Sequence, residues 1–190
     1  MQKIDIVNLA LARLGEPTIN DLREGSEEAA KVHAVWDGAL EATLQAYRWG
    51  FNVRRKALAL QEENPAGYAY AYRYGAPAGM LQPYEIYTAQ PEMGRPIPFL
   101  FEDQSIFTDE PDAILVYSVR EDRCSLFTPA FRDALAWRLA GDLAMALTQR
   151  SDFAKLAQQN FNIAIDAAKA MSGNARKMKR KVPRYIQARG

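Results

Sequence analysis

The sequence predicts a mainly α protein with a β insertion. Two N-terminal and two C-terminal helices would form an antiparallel bundle, with a small β-rich domain between them and an extended basic C-terminal tail. Three observations predict it. Apolar residues recur at helical spacing near both ends of the chain. Prolines and tyrosines crowd the middle. The last eighteen residues, Gly173 to Gly190, carry seven bases and no acid. The corresponding domains are 1–52 with 127–172 for the bundle, 53–126 for the β insertion and 173–190 for the tail.

The first helix spans about Gln2 to Leu14, where Ile4, Val7, Leu11 and Leu14 form one stripe. Gly15 and Pro17 stop it. After a polar loop, Ser26 opens a long helix as its N-cap, with Glu27 and Glu28 at the positive end of the helix dipole. Val32, Trp36, Ala39, Leu40, Thr43 and Tyr47 share a face. The helix is expected to stop at Tyr47-Arg48-Trp49-Gly50-Phe51, with Gly50 suited to a left-handed cap and the flanking aromatics pinned into a core.

Val53 to Leu60 reads as a strand or an extended arm. Beyond Asn64, β-like runs appear at Tyr84–Thr88, Ile97–Phe101, Gln104–Thr108 and Ala113–Val119. Phe101 and Ile106 flank a polar turn that suggests a hairpin. Ala113–Val119 is the most continuously apolar run and so the most buried strand. Prolines confine the others to edges. Thr128-Pro129 is a helix start signal, cap followed by a proline at the first helical position. Phe131, Leu135, Leu139, Leu143 and Leu147 then recur every fourth residue. Ser151 opens a last helix with Phe153, Ala157, Phe161, Ala164, Ala168 and Met171 on one face. The short linker between these two helices predicts an αα-hairpin.

At 190 residues, 48% hydrophobic and 25% charged, the composition is that of a globular protein. The net charge of +1 hides an uneven distribution: the tail carries +7 and the rest −6. One cysteine, Cys124, excludes an internal disulfide framework. No apolar run approaches a membrane span, and the N-terminus lacks a signal-peptide pattern. The expectation is a soluble protein made in a cytoplasm, with no membrane contact.

Catalytic signatures are missing. The one histidine, His33, sits among alanine and valine on a helix, where a structural role outweighs a catalytic one. Cys124 neighbours Arg123 but has no histidine or second cysteine beside it in sequence. One His and one Cys do not build a zinc site, and neither GxxxxGK[ST] nor GxGxxG occurs. The acidic pairs Glu62-Glu63, Glu102-Asp103 and Asp109-Glu110 read as solvated turn charge. The expectation is no enzyme, no cofactor and no metal.

Two features suggest contacts. Tyr68, Tyr70, Tyr72 and Tyr74 alternate, which puts all four on one face if the run is a strand. Burial or a subunit interface suits them better than base stacking, since only Arg73 accompanies them. The tail combines Arg176, Lys177, Lys179, Arg180, Lys181, Arg184 and Arg189 with the apolar anchors Val182, Tyr185 and Ile186. Such a segment can dock on an acidic protein groove or follow a phosphate backbone. The bulky residues expected in the core or at an interface are Trp36, Tyr47, Trp49, Phe51, Tyr70, Tyr72, Phe131, Leu135 and Phe161.

The stretches Ile4–Gly15, Tyr47–Asn52, Tyr72–Pro77, Leu115–Tyr117 and Phe127–Leu135 with Leu139-Ala140 occur in an order that resembles the tail tubular protein A family. These are the head-to-tail adaptors, or gatekeepers, of short-tailed bacteriophages. The resemblance extends to about Met171, although Gly79 stands where the family pattern has an acid. It implies a structural virion protein at the head-tail junction, assembled in the host cytoplasm. Such adaptors form a twelve-membered ring on the portal protein, extend the DNA channel and present a platform to tail or nozzle proteins. Genomic DNA passes without specific binding. The resemblance makes Arg176 to Arg189 the portal-docking arm. An acidic body suits a DNA conduit, because like charge discourages the duplex from sticking. Assembly on a template prevents premature polymers, so a monomer is expected until the portal is met. The rival readings are a neck or head-completion protein of a long-tailed phage or gene-transfer particle, and a nucleic-acid-binding module using the basic tail.

Overall fold

The computed structural model describes residues 2–88 and 95–176, with the side chains of 175 and 176 excepted. Within them lie four helices: α1 (Lys3–Leu14), α2 (Glu27–Gln45), α3 (Pro129–Thr148) and α4 (Ser151–Arg176). Seven strands lie between α2 and α3: β1 (Val53–Ala57), β2 (Leu60–Glu63), β3 (Tyr72–Gly75), β4 (Met80–Tyr87), β5 (Leu100–Glu102), β6 (Ser105–Thr108) and β7 (Ile114–Val119). The chain divides into two compact units, residues 2–39 with 127–176, and Leu40–Leu126.

The helical unit is centred on α3. Thr128 caps it by accepting from the Phe131 amide at 3.3 Å, with Pro129 at the first helical position. Its buried residues, among them Phe131, Ala134, Leu135, Ala136, Leu139 and Ala140, spread wider than one stripe, because α1 and α4 both pack against it. Alanine and glycine set how closely these helices approach. A Cβ placed on Gly141 would lie 3.7 Å from that of Ala157 on α4. Gly15 ends α1 in the left-handed region at φ 76°, with its own amide and that of Glu16 returning to Ala12 and Leu11. Asn8 then holds the loop against α1 by exchanging two hydrogen bonds with the Ile19 backbone, at 2.9 and 3.0 Å. Arg13 pairs with Asp133 and lies 4.0 Å over the Trp137 ring, tying α1 to α3.

The second unit holds two antiparallel sheets, one ordered β1-β7-β4 and the other β2-β3-β6-β5. Tyr74 and Ile106 from the four-stranded sheet share a core with Ile86, Leu115 and Tyr117 from the three-stranded sheet, so the two layers face each other. β7 is the central strand of its sheet, with Leu115, Val116, Tyr117 and Ser118 all buried. Pro83 lies in β4, at the sheet's edge, where a missing amide is tolerated. β5 and β6 form a hairpin whose turn residues Asp103 and Gln104 both have positive φ, 44° and 52°. That geometry matches the twist of the flanking strands.

A four-helix bundle beside a small β insertion is therefore not what the chain forms. Helices account for 47% and strands for 21%, the balance of an α+β protein. The closely packed helix pairs among the described residues are α1 with α3 and α3 with α4. α2 joins neither pair, and the division between units falls inside it, after Ala39. Helical periodicity reports a buried face but not which unit buries it. α2 also ends at Gln45, earlier than expected, and Gly50 is not left-handed. The chain turns instead through short backbone bonds from the Trp49 amide to Tyr47 and the Asn52 amide to Trp49.

Candidate functional site

Three features of the described residues can carry function. The first is the turn that follows α2. Trp49 is 1% exposed, donates its indole Nε1 to the Thr43 carbonyl at 3.0 Å, and meets Tyr47 edge-on and Phe51 face-on. Arg48 pairs with Glu85 at 2.8 Å and lies 5.0 Å over the Tyr84 ring. Tyr87 donates its hydroxyl to the same Glu85 carboxylate at 3.0 Å. Burial and that carboxylate push the Tyr87 phenol up. Asn52 is fully buried, and neither atom of its side-chain amide has a partner among the described residues.

The second is an arginine-clasped carboxylate. Glu121, 4% exposed, accepts from Arg123 Nε at 2.7 Å, Arg123 Nη2 at 2.8 Å, the Arg123 amide at 3.1 Å and Arg54 Nη2 at 3.0 Å. The Arg123 guanidinium above all holds its pKa down at about 2, against an ordinary 4.5. Next to it, Arg120 bridges Glu41 and Asp122. A paired, neutralised carboxylate of this kind holds loops in place. It does not move protons near neutral pH.

The third is the exposed face of α4. Leu156, Ile163 and Met171 are 49%, 70% and 63% exposed, and their spacing places them along one side of the helix. α4 is described as far as Arg176, and the basic segment follows it in sequence. Of the expected docking arm, Arg176 is the last described residue and belongs to that helix. Lys177, Lys179, Arg180, Lys181, Val182, Arg184, Tyr185, Ile186 and Arg189 lie outside the described residues.

The expected core residues sort by unit. Trp36, Phe131 and Leu135 are buried in the helical unit, and Phe161 is half-buried on α4. Lys3 lies over the Trp36 ring at 4.4 Å. Tyr47 and Phe51 are half-buried around Trp49. The four tyrosines do not share a face. Only Tyr72 and Tyr74 are in β3; Tyr74 is 1% exposed and donates to the Glu110 carbonyl at 2.6 Å. Tyr68 precedes the strand and stacks on Phe107 at 3.8 Å, while Tyr70 sits half-buried beside a cleft of about 260 Å³ lined also by Asn64, Pro65 and Asp109. The chain bends at residues 69–71, ahead of β3, which breaks the alternation on which the ladder depended.

His33 is exposed on α2, and Cys124 is buried with its thiol 3.6 Å from the Asp122 carbonyl. Among the described residues no three His, Cys, Asp or Glu side chains gather to hold a metal, and no helix is long and apolar enough to cross a membrane. A second cleft, of about 220 Å³, lies by Gln2, Lys3, Asn20 and Asp21. Both clefts fall below the roughly 300 Å³ at which ligand pockets begin. Sequence reasoning missed the Glu121 clasp, which is hidden in Arg120-Glu121-Asp122-Arg123, a run that reads as solvated charge. An acid with bases at both near flanks, just after the most apolar strand, was the available signal. No protein-family model matches the chain, and no curated protein matches it either.

Proposed function

We propose that the protein is a head-to-tail adaptor of a short-tailed phage particle, a structural subunit that binds the portal through its basic C-terminal segment. The observation that supports this most directly is the continuity of α4 with that segment. A helix with exposed Leu156, Ile163 and Met171 runs straight into fourteen residues carrying six bases and no acid. The order of apolar and aromatic stretches, which resembles that of the tail tubular protein A family, is the ground for taking the portal as the partner. In this reading the arm docks on the portal, the folded body continues the DNA channel, and tail proteins attach to the finished ring. A single short arm binds modestly and a ring of them strongly, because each later contact is made at high effective concentration.

The test is light scattering on the full chain and on a chain ending at Arg176, each with and without a candidate portal ring. Stoichiometric capture of the full chain, lost on truncation, is the expected result. Salt-dependent DNA binding through the same segment, with no portal capture, would replace this reading with the nucleic-acid-binding module. The tyrosine geometry weighs against that rival, since Tyr74 is buried and Tyr68 is already stacked.

A further inference from the structure

The uneven charge of the chain falls, in the structure, on one surface. Residues 60–75 and 98–112 make up the four-stranded sheet and its loops, and they hold seven acids against one base, Arg73. The rest of residues 1–172 holds sixteen acids and sixteen bases. The negative surplus of the body therefore lies entirely in this sheet. The segment 177–190 is its counterpart, with six bases and no acid.

The same sheet carries a cleft that suits one cationic side chain. At about 260 Å³ it is smaller than an ordinary ligand pocket, and Asn64, Pro65, Tyr68, Tyr70 and Asp109 line it. Tyr68 stacks one ring face on Phe107 and is 37% exposed. Asp109 accepts from the Ala71 amide at 3.0 Å through one carboxylate oxygen, and the other has no partner among the described residues. Aromatic rings beside a carboxylate oxygen recognise a guanidinium or an ammonium. The sheet already holds one arginine in this way. Arg73 pairs with Glu62 at 3.5 Å and lies 5.9 Å over the Phe107 ring. The local field is negative: burial and then Glu102 push the Tyr68 phenol up, with Asp103 adding to them against Arg73.

We propose that the basic segment 177–190 lies across the four-stranded sheet, with one lysine or arginine side chain seated in the cleft between Tyr68, Tyr70 and Asp109. Fourteen residues extend to about 46 Å, and four strands span about 15 Å, so the segment is long enough to cross them. The portal-arm reading supplies the purpose of this contact: a held arm is kept off DNA and other anions until the portal displaces it. The contact itself stands on the charge and the cleft.

The experiment is limited trypsin digestion of the full chain at low salt, with the first cut within 177–189 timed by mass spectrometry. Cutting tracks the fraction of time for which the segment is released. Asp109→Asn keeps an oxygen for the Ala71 amide but removes the charge from the cleft, and its segment should be cut about fivefold faster than that of the wild type. Asp103→Asn removes one charge from the β5–β6 turn instead, at a left-handed position that asparagine tolerates, and should alter the rate less than about twofold. At about 1 M salt, where the Debye length is about 3 Å, the wild type and Asp109→Asn should be cut alike. Unchanged melting curves confirm that both variants fold. A wild-type rate equal to that of Asp109→Asn at low salt, equal acceleration by both variants, or protection that persists at high salt would overturn the proposal. Portal capture is read separately by light scattering. Protection without portal capture keeps this seat and sinks the adaptor reading, and the converse keeps the adaptor and sinks the seat.

Discussion

The two units solve the problem of a specific interior in different ways. In the helical unit the buried residues are apolar, and many are small: Ala10, Ala134, Ala136, Ala140, Ala144, Ala157 and Ala168 lie between Leu11, Phe131, Leu135 and Leu139. In the β unit, Leu40–Leu126, lie all the buried polar residues found among the described ones: Thr43, Asn52, Ser105, Thr108, Ser118 and Glu121. The helical interior is specified by size, since alanine faces decide how near two backbones come. The β interior is specified by direction, since a buried hydroxyl or carboxylate tolerates only the geometry that satisfies it. One unit should therefore respond to volume and the other to pH and hydrogen bonding.

The largest test of that contrast is Phe131→Ala. Phe131 is fully buried and packs edge-on against Phe127, with ring centroids 4.8 Å apart. Its removal should cost about 3–5 kcal/mol, read as an earlier denaturant midpoint by far-UV circular dichroism. Next comes Glu121→Gln, which leaves Arg54 and Arg123 without their anion and should cost about 1–3 kcal/mol. The wild-type chain carries a matching pH signature. The folded pKa of Glu121 lies below its unfolded value, so its contribution is complete above about 4.5 and drains away as pH falls toward 2. In Glu121→Gln that part of the acid titration should be absent; an unchanged acid profile would remove the carboxylate from the stability of this unit.

Smaller still is Tyr74→Phe, which deletes the 2.6 Å bond to the Glu110 carbonyl at nearly constant volume. A loss of about 0.5–1.5 kcal/mol in urea unfolding is expected. At the small end, Gly141→Ala should stabilise the helical unit by up to about 1 kcal/mol. The added methyl would make an ordinary 3.7 Å contact with Ala157. A lower melting temperature in that variant would mean that α3 and α4 are held closer than volume alone requires.

What was legible in the sequence was local. Thr128-Pro129 announces α3 because a cap needs only neighbouring amides, and the hairpin at Glu102–Ser105 follows from residues that flank its turn. The strand Ile114–Val119 was visible because burial on both faces removes polar alternation. Partner choice was not legible. Nothing in Val53–Ala57 says that it pairs with β7, about sixty residues on, and nothing in α2 says that its two ends serve different cores. The tyrosine run misled because alternation assumes an unbroken strand, and the bends at residues 69–71 with the Tyr68–Phe107 stack break it. Of the candidate site, the exposed α4 ridge could not be seen, because Leu156 and Ile163 differ from core leucines only in what lies opposite them.

The division inside α2 also bears on how the chain comes off the ribosome. Leu40–Leu126 is continuous in sequence, so its sheets can form as soon as they emerge. The helical core cannot. α1 waits for α3, and the Arg13–Asp133 pair that joins them spans 120 residues. Until Pro129–Thr148 is made, Ile6, Val7 and Leu11 lack the helix that α1 packs against. Synthesis therefore favours the β unit first and the helical unit last, and leaves a window in which the apolar face of α1 is the part of the nascent protein that a chaperone would hold.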